Sequence, residues 1–152
     1  MKLKDITKEA TTISADATFK EAVSLMVEQQ TNVLLVIDNN GSLIGVTSVT
    51  DLLDAVVPEY LDGDSTAAHF ATEEMFKKAV TDTMDKPVSD FMSSELTTVN
   101  ESESLMAVAV TAIASKRLRI PVIDDAGRPV GIISRQGLKH ILAEQLGIGD
   151  SR

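Results

Sequence analysis

Cysteine is absent from the 152 residues, which removes disulfides, thiolate chemistry and cysteine-based metal sites and fits a reducing, cytoplasmic setting. Tryptophan is absent as well, and aromatics make up 3% of the chain, too few for an exposed platform on which nucleobases stack. Basic residues are outnumbered. The 14 Lys and Arg against 23 Asp and Glu leave a formal net charge of −9, and a general nucleic-acid binder needs a basic face instead. The expected partner is therefore a protein, with no nucleic acid and no membrane. No apolar run approaches the roughly 18 residues of a membrane span. Met1-Lys2-Leu3-Lys4-Asp5 leads into mixed sequence rather than an apolar signal segment. There is no Ser-His-Asp set, no metal-ligand cluster and no phosphate-cradling glycine loop, so the chain does not read as an enzyme. His69 beside Phe70 has no second ligand at useful spacing and reads as structural, and His140 reads as a helix-surface residue.

What is present is a repeat. Gly45-Val46-Thr47-Ser48-Val49-Thr50-Asp51-Leu52 follows the apolar run Val33 to Ile37 and the turn Asp38-Asn39-Asn40-Gly41, so it reads as a returning strand that runs into a helix. Gly45 allows close approach of a neighbour, Ser48 and Thr50 offer hydroxyls, and Asp51 offers a carboxylate able to accept both hydroxyls of a ribose. The plainer reading is that Ser48, Thr50 and Asp51 cap the helix. The octet recurs as Gly131-Ile132-Ile133-Ser134-Arg135-Gln136-Gly137-Leu138, and 131 minus 45 gives an offset of 86. The same offset lays Leu34-Leu35-Val36-Ile37-Asp38 on Ile120-Pro121-Val122-Ile123-Asp124 and Thr12-Ile13 on Thr98-Val99, with no gap from residue 12 to residue 53. Two tandem copies of one unit follow.

Each copy reads as short strand, helix, strand, strand, helix. In the first, residues Lys4 to Thr11 form a polar lead-in, Thr18 and Glu21 match a capping box, and Phe19, Ala22, Val23, Met26 and Val27 share one helix stripe. Asn40-Gly41 supplies the positive φ angles of a tight hairpin, and Pro58 stops the second helix. Residues 58–87 belong to neither copy. There a polar loop, Glu59 to Ser65, precedes a helix from about Thr72 to Met84 with Met75, Phe76, Ala79 and Val80 on one side, a connector that needs cover. The second copy opens at Lys86-Pro87-Val88, where Ser89-Asp90 reads as a cap for Phe91-Met92, and carries a helix from Leu105 to about Ser115. Lys116-Arg117-Leu118-Arg119, the one basic cluster, is either a solvated helix end or an anion contact.

These residues resemble tandem cystathionine-beta-synthase (CBS) domains, the Bateman module. The carriers are Val88-Ser89-Asp90-Phe91-Met92, Arg119-Ile120-Pro121-Val122-Ile123-Asp124 and the two Gly-apolar-apolar-Ser strand ends. The resemblance covers nearly the whole chain and implies a stand-alone α/β (α+β) protein of two β-α-β-β-α motifs related by a pseudo-twofold axis. The motifs are residues 1–57 and 88–152, and the connector is 58–87. It further implies a homodimer and a cleft between facing sheets that holds AMP, ADP or ATP, alternatively S-adenosylmethionine, as a regulatory ligand with no cofactor required. By the same resemblance Asp51 binds the ribose with Ser48 and Thr50 beside it. Thr98, Val99, Arg119, Ile120 and Pro121 line the base, and Arg135 lies near the phosphates. A weaker mirror site falls to Ile13, Val33, Leu34 and Ser134. There Gly137 stands where Asp51 has its carboxylate, a loss on the order of a few kcal/mol at about 1.5 to 3 per bond to a charged group, so one competent site is expected. The implied role is a sensor that regulates a partner protein. The alternative is a dimerisation scaffold that binds no nucleotide. An enzyme built on Asp51 and a histidine ranks last.

Overall fold

The computed structural model describes residues 2–58, 66, 69–115 and 119–149. The polar loop Glu59 to Ser65, and Lys116 to Leu118 of the basic cluster, lie outside them. The chain forms two compact units, and neither is a continuous stretch. The repeat-one unit comprises Thr11–Asp38 and Ile44–Ser94, while the repeat-two unit comprises Met1–Ala10, Asn39–Leu43 and Glu95–Arg152.

In the repeat-one unit a three-stranded sheet has the order β1 (Thr12–Ser14), β2 (Val33–Ile37), β3 (Leu43–Ser48). β1 runs parallel to β2, with Ile13 opposite Val36. Between them lies α1 (Phe19–Gln29), and α2 (Val49–Val56) follows β3 directly. Thr18 caps α1 by accepting the Glu21 N–H at 3.2 Å, as the Thr18-to-Glu21 spacing predicts. α1 ends on Gln30, whose φ of 53° makes it the one described non-glycine residue in left-handed backbone. The core joins Ile13, Leu34 and Val36 from the sheet to Phe19, Ala22 and Met26 of α1 and to Leu52 and Val56 of α2. The connector helix α3 (Glu73–Thr83) packs on it through Ala79 and Val80, so the connector is covered on that side. Met75 and Phe76 on the same helix stay exposed, however. The exposed α3 ion pair Lys78–Asp82, at 2.7 Å, raises the Lys78 pKa above its ordinary value, the hydrogen bond being the larger cause.

The repeat-two unit repeats this plan with β4 (Val99–Asn100), α4 (Leu105–Ala114), β5 (Arg119–Ile123), β6 (Pro129–Ser134) and α5 (Arg135–Gln145). β4 is parallel to β5, and β5 is antiparallel to β6 with Arg119 opposite Ser134 and Pro121 opposite Ile132. Leu3, Ile6, Val99, Val108, Ile120, Val122 and Ile133 form its core.

The lead-in at residues 4–11 is not merely polar. Leu3–Asp5 forms a 3-10 turn with Leu3 and Ile6 buried, and Val88–Asp90 forms another. Leu3-Lys4-Asp5-Ile6 is a copy of Val88-Ser89-Asp90-Phe91 at an offset of 85, one short of the main repeat. No side chain caps the second turn, so Ser89 and Asp90 are part of it rather than its cap.

Each turn feeds a segment to the edge of the third strand in its unit. Lys8 and Ile132 exchange both main-chain hydrogen bonds at 2.8 Å, and Ser93 and Val46 do so at 2.9 Å. Gly45 and Gly131 make this approach possible. A Cβ on Gly45 would stand 2.6 Å from Met92 Sδ, and one on Gly131 would meet the Lys8 carbonyl oxygen.

Two smaller expectations are corrected. Only Gly41 (φ 81°) takes positive φ in the first hairpin, because Asn40 does not. His140 is buried, not on the helix surface, because it shares the inner side of α5 with the buried Gly137 about one turn earlier.

Candidate functional site: two strand-to-helix junctions

Ser48 ends β3 in extended backbone and caps α2. Its Oγ accepts the Asp51 N–H at 3.4 Å, while Asp51 Oδ2 accepts the Ser48 N–H at 2.8 Å and the Ser48 hydroxyl at 3.2 Å. The capping reading of this octet is therefore realised. It does not exhaust the carboxylate, since Oδ1 accepts no hydrogen bond from the described residues. Asp51 is half-buried and lies in the first turn of α2, beside the positive end of the helix dipole. Thr50 lies exposed on the first turn.

Strand alternation sorts the apolar candidates. Ile13 and Leu34 belong to the repeat-one core, so their side chains face the helices; Val33 and Leu35, one residue on either side of Leu34, occupy the other face. The same holds in the second unit. Val99 and Ile120 sit in its core, whereas Arg119, Pro121, Ile132 and Ser134 fall on the opposite face. Leu35 stands where the other copy has Pro121, and Ile132, not singled out from the sequence, is reached by a period of two counted back from Ser134. Thr98, half-buried, immediately precedes β4.

The second junction has the cap without the acid. Ser134 Oγ accepts the Gly137 N–H at 3.3 Å. A Cβ on Gly137 would lie 3.3 Å from both Cβ and O of Ile6, so the buried lead-in occupies the space that a side chain there needs. Arg135, exposed, opens α5, and Arg119 pairs with the residue before it. Two arginines thus stand on the backbone next to one helix N-terminus, residue types suited to an anion. The acidic junction belongs to the repeat-one unit and the basic junction to the repeat-two unit. Among the described residues no group of three His, Asp or Glu is disposed to hold a metal, and no helix is long and apolar enough to cross a membrane.

Two β-α-β-β-α motifs with serine-capped strand-to-helix junctions define a tandem α/β module. The chain belongs to the CBS domain family: the family model matches residues 3–58 and 88–144, a tandem pair. The chloroplastic CBS domain-containing protein CBSX2 of Arabidopsis thaliana is 33% identical over 124 residues, covering 76% of this chain and 51% of the relative. The chain thus spans about half the length of that protein. The crystal structure of CBSX2 superposes with a TM-score of 0.73 at 25% identity, over 97% of this chain and 98% of the other. The structure of CBSX2 in complex with AMP superposes with a TM-score of 0.67 at 26% identity, over 95% and 98%.

Proposed function

We propose that this chain is a non-catalytic regulatory module that binds an adenosine nucleotide and acts, as a homodimer in the cytoplasm, through a partner protein. The observation that carries the reading is the open Oδ1 of Asp51, a half-buried carboxylate held by Ser48 at a helix N-terminus. A ribose diol needs such an acceptor. Arg119 and Arg135 supply the cations a phosphate needs, Thr98 and Pro121 flank the base, and Val99 and Ile120 offer main chain, since their side chains are buried in the core. The similarity to CBSX2, crystallised with AMP, supports an adenosyl ligand. AMP leads over ADP, ATP and S-adenosylmethionine, and the junction at Ser134, with Ile13, Val33 and Leu34 as its apolar residues, is weak or empty for want of an acid at Gly137. For a signal, the ligand must bind two states of the module unequally.

Thermal unfolding with AMP, ADP, ATP and S-adenosylmethionine in turn tests the reading. A ligand at a hundred times its Kd adds about 2.7 kcal/mol, which raises Tm by about 5–10 °C in a chain of this size. No rise with any adenosyl ligand at millimolar concentration would favour the scaffold reading, to which Gly137 already lends weight.

A further inference from the structure

Within the repeat-two unit the lead-in touches the basic junction on both sides of Ser134. Two residues before Ser134, Ile132 exchanges both main-chain hydrogen bonds with Lys8 at 2.8 Å. Three residues after it, Gly137 lies so close to Ile6 that a Cβ on the glycine would stand 3.3 Å from both Cβ and O of Ile6. The lead-in itself is pinned. Leu3 and Ile6 are buried in the repeat-two core beside Ile133, and the Thr7 hydroxyl donates to the Leu3 carbonyl at 2.9 Å. Residues 3–8 therefore fix the spacing between the end of β6 and the first turn of α5, the turn on which Arg135 and the first N–H groups of the helix lie.

The repeat-one junction is built otherwise. There the counterpart of Ile6, Phe91, sets its ring edge-on against Phe19 of α1 with 5.6 Å between centroids, and Asp51 closes the cap of α2 with its own side chain. α5 has glycine at that position, and the lead-in fills the space. We infer that the lead-in is a clamp on the basic junction: Ile6, acting through Gly137, is a positioning residue that sets the first turn of α5, and with it Arg135, for the phosphate of a bound nucleotide. The inference rests on the nucleotide reading above and adds to it the segment that responds to ligand. Linkage makes the coupling reciprocal. The factor by which a docked lead-in tightens phosphate binding is the factor by which the phosphate favours docking, so residues 3–8 report the phosphate of the ligand rather than its nucleoside.

The test compares AMP with adenosine on the full chain, by isothermal titration and by hydrogen exchange at the Lys8 amide. Wild type should bind AMP about 10- to 150-fold more tightly than adenosine, the worth of one charge-assisted hydrogen bond. Ile6→Ala, which empties the contact, and Gly137→Ala, which overfills it, should each lose most of that preference and keep adenosine affinity within about twofold. Ile6→Val, one methyl smaller, should lose less. Val108→Ala, a deletion in the same core but on α4, should lower Tm and leave the preference intact. AMP should slow exchange of the Lys8 amide, and adenosine should not. A folded Ile6→Ala or Gly137→Ala chain with the wild-type preference, a Val108→Ala chain that loses it equally, or a Lys8 amide indifferent to AMP would overturn the clamp and leave the nucleotide reading standing. Equal binding of AMP and adenosine by wild type would overturn the clamp together with the phosphate contact, and binding of neither would overturn the nucleotide reading as well.

Discussion

Replacing Asp51 should separate the cap this side chain forms from the ligand contact proposed for it. Its Oδ2 closes the cap of α2 on Ser48, at 2.8 Å to the main-chain nitrogen and 3.2 Å to the hydroxyl, and its Oδ1, which accepts no hydrogen bond from the described residues, is the atom proposed to meet the ligand. Asp51→Ala removes the cap, worth about 1 kcal/mol, and so should lower Tm by about 2–4 °C without ligand. Asp51→Asn keeps a neutral acceptor for the Ser48 N–H and should lose less. Binding responds differently, because the open oxygen contributes at least one charge-assisted hydrogen bond of about 1.5–3 kcal/mol. Kd for AMP should therefore rise about 10- to 150-fold in both variants. Ser104→Ala is the control: Ser104 caps α4 through the Ala107 N–H at 3.2 Å, so it should cost a similar Tm loss with affinity unchanged. The assays are scanning calorimetry without ligand and isothermal titration with AMP. A folded Asp51→Ala chain that binds AMP within twofold of wild type would refute the reasoning.

Other substitutions probe the frame around the junctions. Gln30→Gly relieves the left-handed backbone that ends α1 and should stabilise by about 0.5–1 kcal/mol in urea unfolding. Thr47→Val should stabilise by about 1 kcal/mol, since the Thr47 hydroxyl is buried with no hydrogen-bond partner; a loss of stability would show that the hydroxyl is satisfied. Gly131→Ala should destabilise by about 1–3 kcal/mol and by more than Gly45→Ala. The first drives a Cβ into the Lys8 carbonyl, while the second meets mainly the movable end of Met92; equal midpoint shifts in urea would contradict this.

The element order was legible because each copy repeats its own punctuation. Thr18 and Ser48 announce helix starts, Gly41 and Gly127 announce turns, and both turn glycines take positive φ. The 3-10 turn at Leu3 was not legible. Its match to Val88 falls one residue out of the main register, and nothing in a single sequence says that residues 3–8 complete the sheet formed by residues 99–134. At the site, residue types found the Ser48–Asp51 pair but could not say that one carboxylate oxygen would be spent on the cap. Nor did they sort Leu34 and Ile120, which the pleat turns toward the helices, from Leu35 and Pro121 on the other face.

Isothermal titration of the wild-type chain with AMP bears most directly on the claim that one junction, the acidic one, binds a nucleotide. One AMP per chain with the heat lost in Asp51→Ala is the result expected. Two equal sites per chain, or no binding at millimolar AMP, would contradict it.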